Sequence, residues 1–584
     1  MSPQKKLLVV LSALLVAVLT LSACASIPTG GGVSKIQPTD RSDTQLNFNY
    51  APPNPPAPGA DQMAIINGFI NAGTGFAENF QTARKFLAGP AATTWKSDQR
   101  TLVFQDQPNI VKGDSDNDFK IELKTQSSID ADGIRTPAHS GVPNTVQLTM
   151  TRVDGEWRIS SIPDGIMIAQ QNFQNIFKAR SLYFYDPSFS YMVPDVRWFA
   201  ASPSTVPTVM VKALISGPAS YLKGAVASAF PDGIRLLRDT VPIVSSTATV
   251  DLTATVLQAA SAQVRQQMRA QLQETLTRQL NTVTNIILRA DQLTLDANDA
   301  PSSSLSLVHG APVPNRLAGI SKSELVYFDN GQQQQIAGIP SVARYQPKSP
   351  AESYAPGGPV AFLNGTSTEM YTVSPNQTEK LAVSGTALTP PSFSPSNWVW
   401  TAEGNQSGRI FASYPGITDG NQATTVTLTA DWLKGRTVTA LRVSRDGARV
   451  MVISSLNGQS QVQLSGILKQ DNNSVSTPRE LTAPLNLFAE GLAFTTGNWA
   501  GESKILVTAP GPGEVVAGVI SVDAPDNKAS NKFTALKELK GSTVGNDLSE
   551  VYAQNNSGDV FSYAVNGWQE QSQLKDLNDL AFAG

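Results

Sequence analysis

The chain has 584 residues, with 44 Lys and Arg against 47 Asp and Glu, a formal charge of -3, and a single cysteine. A near-neutral balance without a basic block argues against nucleic acid as a partner, and one thiol excludes a disulfide framework and a cysteine zinc site within the chain. Charged residues are only 16% of the total, as in exported β-rich proteins solvated by neutral polar groups, and the length allows three or four domains with cores of their own.

Residues 1–23 read as a lipoprotein signal peptide. Lys5 and Lys6 form a positive n-region, and Leu7 to Leu21 an apolar h-region too short to span a hydrocarbon core of roughly 30 Å. Leu21-Ser22-Ala23-Cys24 is a lipobox: an aliphatic residue three positions before the thiol and a small one directly before it. This pattern predicts cleavage after Ala23 and a mature Cys24 carrying S-diacylglycerol and an N-acyl chain. Each buried methylene contributes about 0.8 kcal/mol, so several chains hold the protein durably on a membrane. The competing reading is an ordinary secretory cut at Ala25 or Ser26. Loss of Lys5 and Lys6 takes the formal charge from -3 to -5, and with Cys24 lipidated no thiolate remains for catalysis.

Residues 24–60 carry Gly30-Gly31-Gly32 and then Pro52, Pro53, Pro55, Pro56 and Pro58. They read as a tether with a reach on the order of 30 to 100 Å. Residues 61–172 begin with two helices. Met63, Ile66, Phe69 and Ile70 share one face of the first, and the second, Ala83 to Leu87, is expected to stop at Gly89-Pro90. Strands follow at Ile121 to Leu123 and at Val146, Leu148 and Met150, then an Asp154-Gly155 turn into Trp157, Ile159 and Ile162. Helices followed by a curved sheet predict an α+β cone similar to the nuclear-transport-factor-2-like (NTF2-like) fold.

Residues 178–300 alternate strand and helix, predicting a compact α/β module. Strands are expected at Ala179 to Tyr185, Tyr191 to Phe199, Arg235 to Leu237, Thr249 to Leu252 and Val283 to Leu288, with a helix from Val206 to Ile215 halted by Gly217-Pro218. A long helix carries Val264, Met268, Leu272, Leu276 and Leu280 in one row. A helix laid on its own sheet accounts for this row better than a partner-binding helix, and the opposite face, rich in Gln and Arg, is expected to face solvent.

After a link near Ala300 to Asn315, residues 316–584 lose helical periodicity. Ser392 to Trp400 and Leu441 to Val452 each read strand, turn, strand, and paired strands recur about every 40 to 55 residues. Six such units predict an all-β propeller, with a β-sandwich pair as the alternative.

No catalytic, cofactor or metal set emerges, and no enzymatic activity is expected. His139 and His309 lie in loops about 170 residues apart and read as solvated. Asp114, Asp116 and Asp118 alternate like a calcium loop, but Phe119 replaces the needed glycine and Thr125 the bidentate Glu, so a turn before a strand is the better reading. Ser220 and Lys223 have Ser-x-x-Lys spacing, without its companion motifs.

The order of parts carries a resemblance. A lipobox, a tether, Ala83-Arg84-Lys85-Phe86-Leu87 before Trp95, Leu214 to Pro218 with Phe230-Pro231-Asp232-Gly233, the strand Val250-Asp251-Leu252 and a propeller-like tail resemble the actinobacterial LpqB lipoprotein family, whose middle block is a GerMN domain. The resemblance implies an accessory lipoprotein of an MtrA-MtrB two-component system, contacting the extracellular domain of the sensor kinase from the outer face of the cell membrane in cell-wall homeostasis and division. The alternative is a factor that binds cell-wall polymer, peptidoglycan or carbohydrate, or hydrolyses it weakly through carboxylates in the cone.

Overall fold

The computed structural model of the protein describes residues 52–138, 143–200, 202, 204–253, 260–294, 308–329, 331–419, 422–472, 475–488, 493–509, 516–523, 533–564 and 567–584. The signal peptide, the lipobox with Cys24, His139 and residues 300–307 of the expected link lie outside the described residues.

The first domain opens with α1, Gln62–Asn71, capped by the Asp61 carboxylate, which accepts the Ala64 N–H at 2.8 Å. Its buried stripe is Ile65, Ile66, Phe69 and Ile70. The stripe is turned one residue round from the expected face, so Met63 is left in solvent at 42% exposure. Gly89-Pro90 does not end a helix. The second helix, α2, spans only Gln81–Arg84, and Pro90 instead opens α3, Pro90–Thr94, because the first helical position has no use for the N–H that proline lacks.

Two four-stranded sheets follow. One is ordered Arg135–Pro137, Thr125–Asp130, Arg100–Phe104, Ile166–Ala169; the other Asn109–Lys112, Asp118–Leu123, Asn144–Val153, Glu156–Ser161. Asp154 and Gly155, at φ 52° and 84°, make the tight turn between the last two strands. Val146, Leu148 and Met150 alternate into a core shared with Ile121, Ile159 and Phe173, the last from α4, Gln170–Ile176. The end of the segment read as a tether docks on this domain: the Gly59 N–H donates to both Glu156 carboxylate oxygens, at 2.9 and 3.1 Å. Asp114, Asp116 and Asp118 do sit at a turn before a strand, with Lys112 paired to Asp116 at 3.1 Å and Asp118 accepting from Ser115 and Thr149.

The middle domain pairs Phe177–Tyr185 with Met192–Ala200 and continues into α5, Val206–Ser216, which Gly217 terminates at φ 99°. Its sheet is ordered Ile243–Val244, Thr247–Leu252, Asn285–Ala290, Leu293–Thr294. The central two strands are parallel, so they need a crossover, supplied by α6, Ala262–Gln279. Arg235 to Leu237 forms only the bridge Leu236 to Leu252, rather than a strand. Met268, Leu272 and Leu276 are fully buried, in an apolar cluster that continues into the C-terminal region. The polar face of α6 is not all solvated: buried Gln271 accepts the Ala229 N–H at 2.9 Å through Oε1, and the Thr275 hydroxyl accepts the Tyr183 N–H at 3.0 Å. Thus this helix is held on two sides.

The C-terminal region is a β-propeller of six antiparallel sheets among the described residues. The first blade is ordered Gln332–Gln335, Glu324–Asp329, Leu317–Ser321, Asn578–Ala581, so the last strand of the chain completes the first sheet. Counted from the inside, the other blades start with Lys348–Glu352, Ser392–Phe393, Thr437–Val443, Thr496–Trp499 and Leu539–Val544. Leu577 and Phe582 flank the closing strand and pack with Leu317, Val326 and Val560. Phe582 also donates its N–H to the Thr543 hydroxyl at 3.1 Å, tying it to the sixth blade.

Phe582→Ala removes a buried ring at this closure and is expected to lower stability by about 3 to 5 kcal/mol. Chemical denaturation of the mature chain measures it, and an unchanged midpoint would show that the ring does not depend on its closing strand.

Candidate functional site

The densest polar chemistry lies where the middle domain meets the fourth and fifth blades. The fourth blade's turn, Ser444 to Ala448, is stapled by Asp446, whose Oδ1 accepts the Ser444 hydroxyl at 2.7 Å and the Ala448 N–H at 2.9 Å. Its Oδ2 takes the Arg449 guanidinium, with Nη2 at 2.6 Å and Nε at 3.2 Å. Arg449 lies over the Trp499 ring at 5.0 Å and donates to the Glu502 carbonyl at 2.9 Å. Both members of the pair are 1% exposed or less. Burial pulls the Arg449 guanidinium down, but Asp446 outweighs it and the value stands above the ordinary one.

The middle domain brings a second pair to the same place. Arg197 Nη2 meets Asp195 Oδ2 at 2.6 Å, and that oxygen also accepts the Ala219 N–H at 2.9 Å. Arg197 Nη1 reaches the Asp132 carbonyl of the first domain at 2.8 Å, so one side chain ties the first two domains together. Tyr221 stands among both pairs, and burial followed by Asp195 drives its phenol far above the ordinary value. Asp195 Oδ1, Arg197 Nε, the Tyr221 hydroxyl and Arg449 Nη1 are buried with no hydrogen-bond partner among the described residues.

Beside these pairs runs a strap, Val308 to Pro312. The Val308 carbonyl accepts the Met192 N–H at 2.8 Å and the Ala311 N–H donates to the Arg445 carbonyl at 2.9 Å, so the strap belongs to both domains. His309, expected in solvent, is instead largely buried between two carboxylates. Its Nε2 is 2.8 Å from Glu274 Oε1 on α6, and its Nδ1 is 3.0 Å from Glu502 Oε2 on the fifth blade. Arg278 donates to Glu502 Oε1 at 2.9 Å and pairs with Glu274 at 3.2 Å, while the Tyr183 ring stands edge-on to the imidazole at 5.0 Å. His309 to Pro312 of the strap, with Arg445, Asp446, Gly501, Glu502 and Asn546, line an open cavity of about 250 Å³. A larger one, about 390 Å³, lies between Pro52 to Pro56 and α1.

Ser220 lies in a short 3-10 turn, Ser220–Leu222, exposed like Lys223, while Tyr221 between them is buried. No three His, Cys, Asp or Glu side chains among the described residues are placed to hold a metal ion, and no described helix is long and apolar enough to cross a membrane.

Three family models match in chain order: the N-terminal domain of lipoprotein LpqB over residues 55–174, the model described as sporulation and spore germination, the GerMN type, over 181–296, and the LpqB beta-propeller domain over 323–579. The "Lipoprotein LpqB" of Mycolicibacterium smegmatis is 25% identical across 99% of both chains. The chain belongs to the LpqB family. Other LpqB relatives include the protein of Streptomyces coelicolor, 25% identical over 89% of this chain and 90% of that one, and that of Thermobifida fusca, 30% identical over 46% and 44%. Among solved structures, a chain of a nidogen/laminin complex covers 46% of this chain and 98% of its own at 9% identity and TM-score 0.31, and the Dos1 propeller covers 43% and 67% at 12% and 0.28. Likenesses this distant carry no argument.

Within the LpqB propeller, the segment Leu441 to Val452 that the sequence singles out as a blade repeat also supplies Arg445, Asp446 and Arg449, the propeller's half of the seam. Sequence reasoning missed that role and the placement of His309. The one available signal was Glu274 and Arg278, spaced i,i+4 on a helix as an ion pair; Tyr183 and Glu502 gave none.

Removing one member of a buried pair strands the other charge. Arg449→Met is expected to cost about 3 to 5 kcal/mol, and Arg449→Met with Asp446→Asn, which keeps an acceptor for the Ser444 hydroxyl and the Ala448 N–H, distinctly less. Equal losses in denaturant unfolding of the single and double variants would show that stranded charge is not the cause.

Proposed function

We propose that this LpqB-family protein is held on the outer face of the cell membrane by acyl chains on Cys24 and regulates a two-component sensor kinase of the MtrA-MtrB type by contact with its extracytoplasmic domain. The observation that carries the reading is the joining of a GerMN-type domain and a propeller into one body through a shared apolar core, with Leu272, Leu276 and Tyr183 clustered with Met451, Ile453, Leu464 and Trp499. Such a body presents a large fixed surface, which suits recognition of another protein. Confinement of both partners to one membrane raises their effective concentration, so a weak contact suffices.

The first domain is read as an NTF2-like cone. Its buried polar side chains are Thr82, Ser97, Thr101, Ser127 and Arg135, none a carboxylate among the described residues. Glycoside hydrolysis ordinarily uses two carboxyl groups flanking the bond, so this interior favours a binding role over a hydrolase, and the protein is read as having no enzymatic activity. Cell-wall polymer remains the alternative ligand, and the cavity between Pro52 to Pro56 and α1 is where a sugar would be sought.

The decisive measurement places the lipidated protein in vesicles and adds the purified kinase ectodomain. Saturable retention is expected, and retention no greater than on vesicles carrying an unrelated lipoprotein would overturn the kinase reading. Cell-wall fragments in the same format test the alternative.

Cys24→Ala is expected to leave the domains folded but move the protein from the detergent phase to the aqueous phase on phase separation. Partitioning equal to the unmodified sequence would remove the anchor from the scheme.

A further inference from the structure

His309 occupies the boundary between two domains with an acceptor against each ring nitrogen. A neutral imidazole carries one N–H, so it can donate to Glu274 or to Glu502, but not to both. The doubly protonated ring donates to both at the distances observed, 2.8 and 3.0 Å. The neutral ring also has a place here: Arg278 Nη1 lies 3.0 Å from Nε2 and can donate to its lone pair while Nδ1–H remains on Glu502. Therefore, the same side chains provide two hydrogen-bond arrangements, distinguished by one proton.

The charges separate the two. Glu274, Glu502 and Arg278 together carry one net negative charge in a largely buried place, and the imidazolium cancels it. With the ring neutral, Glu274 loses its donor from the strap and keeps only Arg278, which is then divided among Glu274, Glu502 and the ring. We propose that His309 is a proton-operated latch, clamping the GerMN-type domain to the fifth propeller blade when charged and loosening that seam when neutral.

The groups that face it are Glu274 and Arg278 from α6, Tyr183 from the strand Phe177–Tyr185, Glu502 from the fifth blade, and Arg445 with Asp446 across the cavity. Burial pulls the imidazole down, but the bonds to Glu274 and then Glu502 outweigh it, and the ring stands above its ordinary value of 6.5. Burial raises the Glu502 carboxyl, and the His309 bond and charge together with Arg278 and Arg449 more than reverse this, leaving it below its ordinary 4.5. For a cation raised on folding, the stabilisation is complete below 6.5 and is lost as pH climbs through the raised value; for Glu502 it is complete above 4.5 and lost in stronger acid. The seam is accordingly tightest in the mildly acidic range and loosens on the alkaline side.

The test uses the full mature chain, whose two histidines make the ring signals separable. Nitrogen-15 imidazole spectra are recorded against pH, with His139→Gln to assign the pair, and exchange of the Ala311 and Met192 amides on the strap is followed over the same range and divided by the intrinsic rate. His309 is expected to titrate above 6.5, and amide protection to fall by about threefold or more through that titration. His139→Gln retains the fall, and His309→Gln abolishes it. If His309→Gln does not fold, Glu274→Gln serves: it is expected to lower the ring's titration and carry the loosening to lower pH with it. A ring titrating at or below 6.5, protection that stays flat in the unaltered chain, or loosening that does not follow the ring overturns the latch. Kinase binding is not a readout, so this result is independent of the proposed function.

Discussion

Charge in a protein interior must be met by an opposite charge or by hydrogen bonds, and that constraint organises this molecule more than any single apolar contact. Asp446 with Arg449, and Asp195 with Arg197, sit at 4% exposure or less. Desolvating one such ion costs several kcal/mol even after relaxation, so the attraction within each pair roughly offsets the cost and adds little net stability. What the pairs specify is arrangement. Arg197 reaches the first domain through Asp132, Arg449 reaches the fifth blade through the Glu502 carbonyl, and Tyr221 lies between the pairs. Each salt bridge is closed within its own domain, so what a shifted docking would lose is the Arg197 bond to the Asp132 carbonyl, and that loss favours one relative position.

The propeller depends on the same logic expressed in backbone groups. A sheet edge exposes a row of unmet N–H and C=O groups, and an open ring would keep one at each end. Pairing Asn578–Ala581 with Leu317–Ser321 covers the edge of the latter and makes the last blade a neighbour of the first, with the closing strand as the inner edge of a four-stranded blade. Since the closing residues lie more than 250 positions from their partners, the ring forms only after nearly all of the region has folded, a high-contact-order step.

Much of this was legible in the sequence, and what was not has identifiable causes. The α6 row, the Gly217 stop, the Asp154-Gly155 turn and the six-blade spacing were readable because each is a local pattern with a fixed period or a fixed backbone demand. Gly89-Pro90 was misread because proline both ends and starts helices, and only the tertiary position of the chain chooses between them. Met63 was misassigned because a stripe at helical spacing leaves about one residue of rotational freedom, which core packing removes. Buried Gln271 and the carboxylates around His309 were invisible for a deeper reason: their partners are 35 to 224 residues away, and nothing in a local window marks a polar residue whose complement arrives from a distant part of the chain. The lipobox reading, by contrast, rests on adjacent residues alone and lies outside the described residues.

The shared core has a consequence for how the parts behave together. One continuous apolar cluster runs from Leu182 and Met268 in the middle domain to Met451, Phe494 and Ile505 in the propeller. Separating the domains would expose the part of that surface lying between them, at about 25 cal/mol for each Å², and would break the Arg278–Glu502 pair that crosses the boundary. Domains linked this way do not drift as beads on a string; they unfold together or shift by small amounts along the boundary. Small shifts are where the strap has leverage. Val308 to Pro312 is bonded to Met192 on one side and Arg445 on the other, and the side chain between those two bonds is His309. A change in one ring there acts on the connection itself, while the apolar cluster holds the two bodies near enough for the original arrangement to re-form.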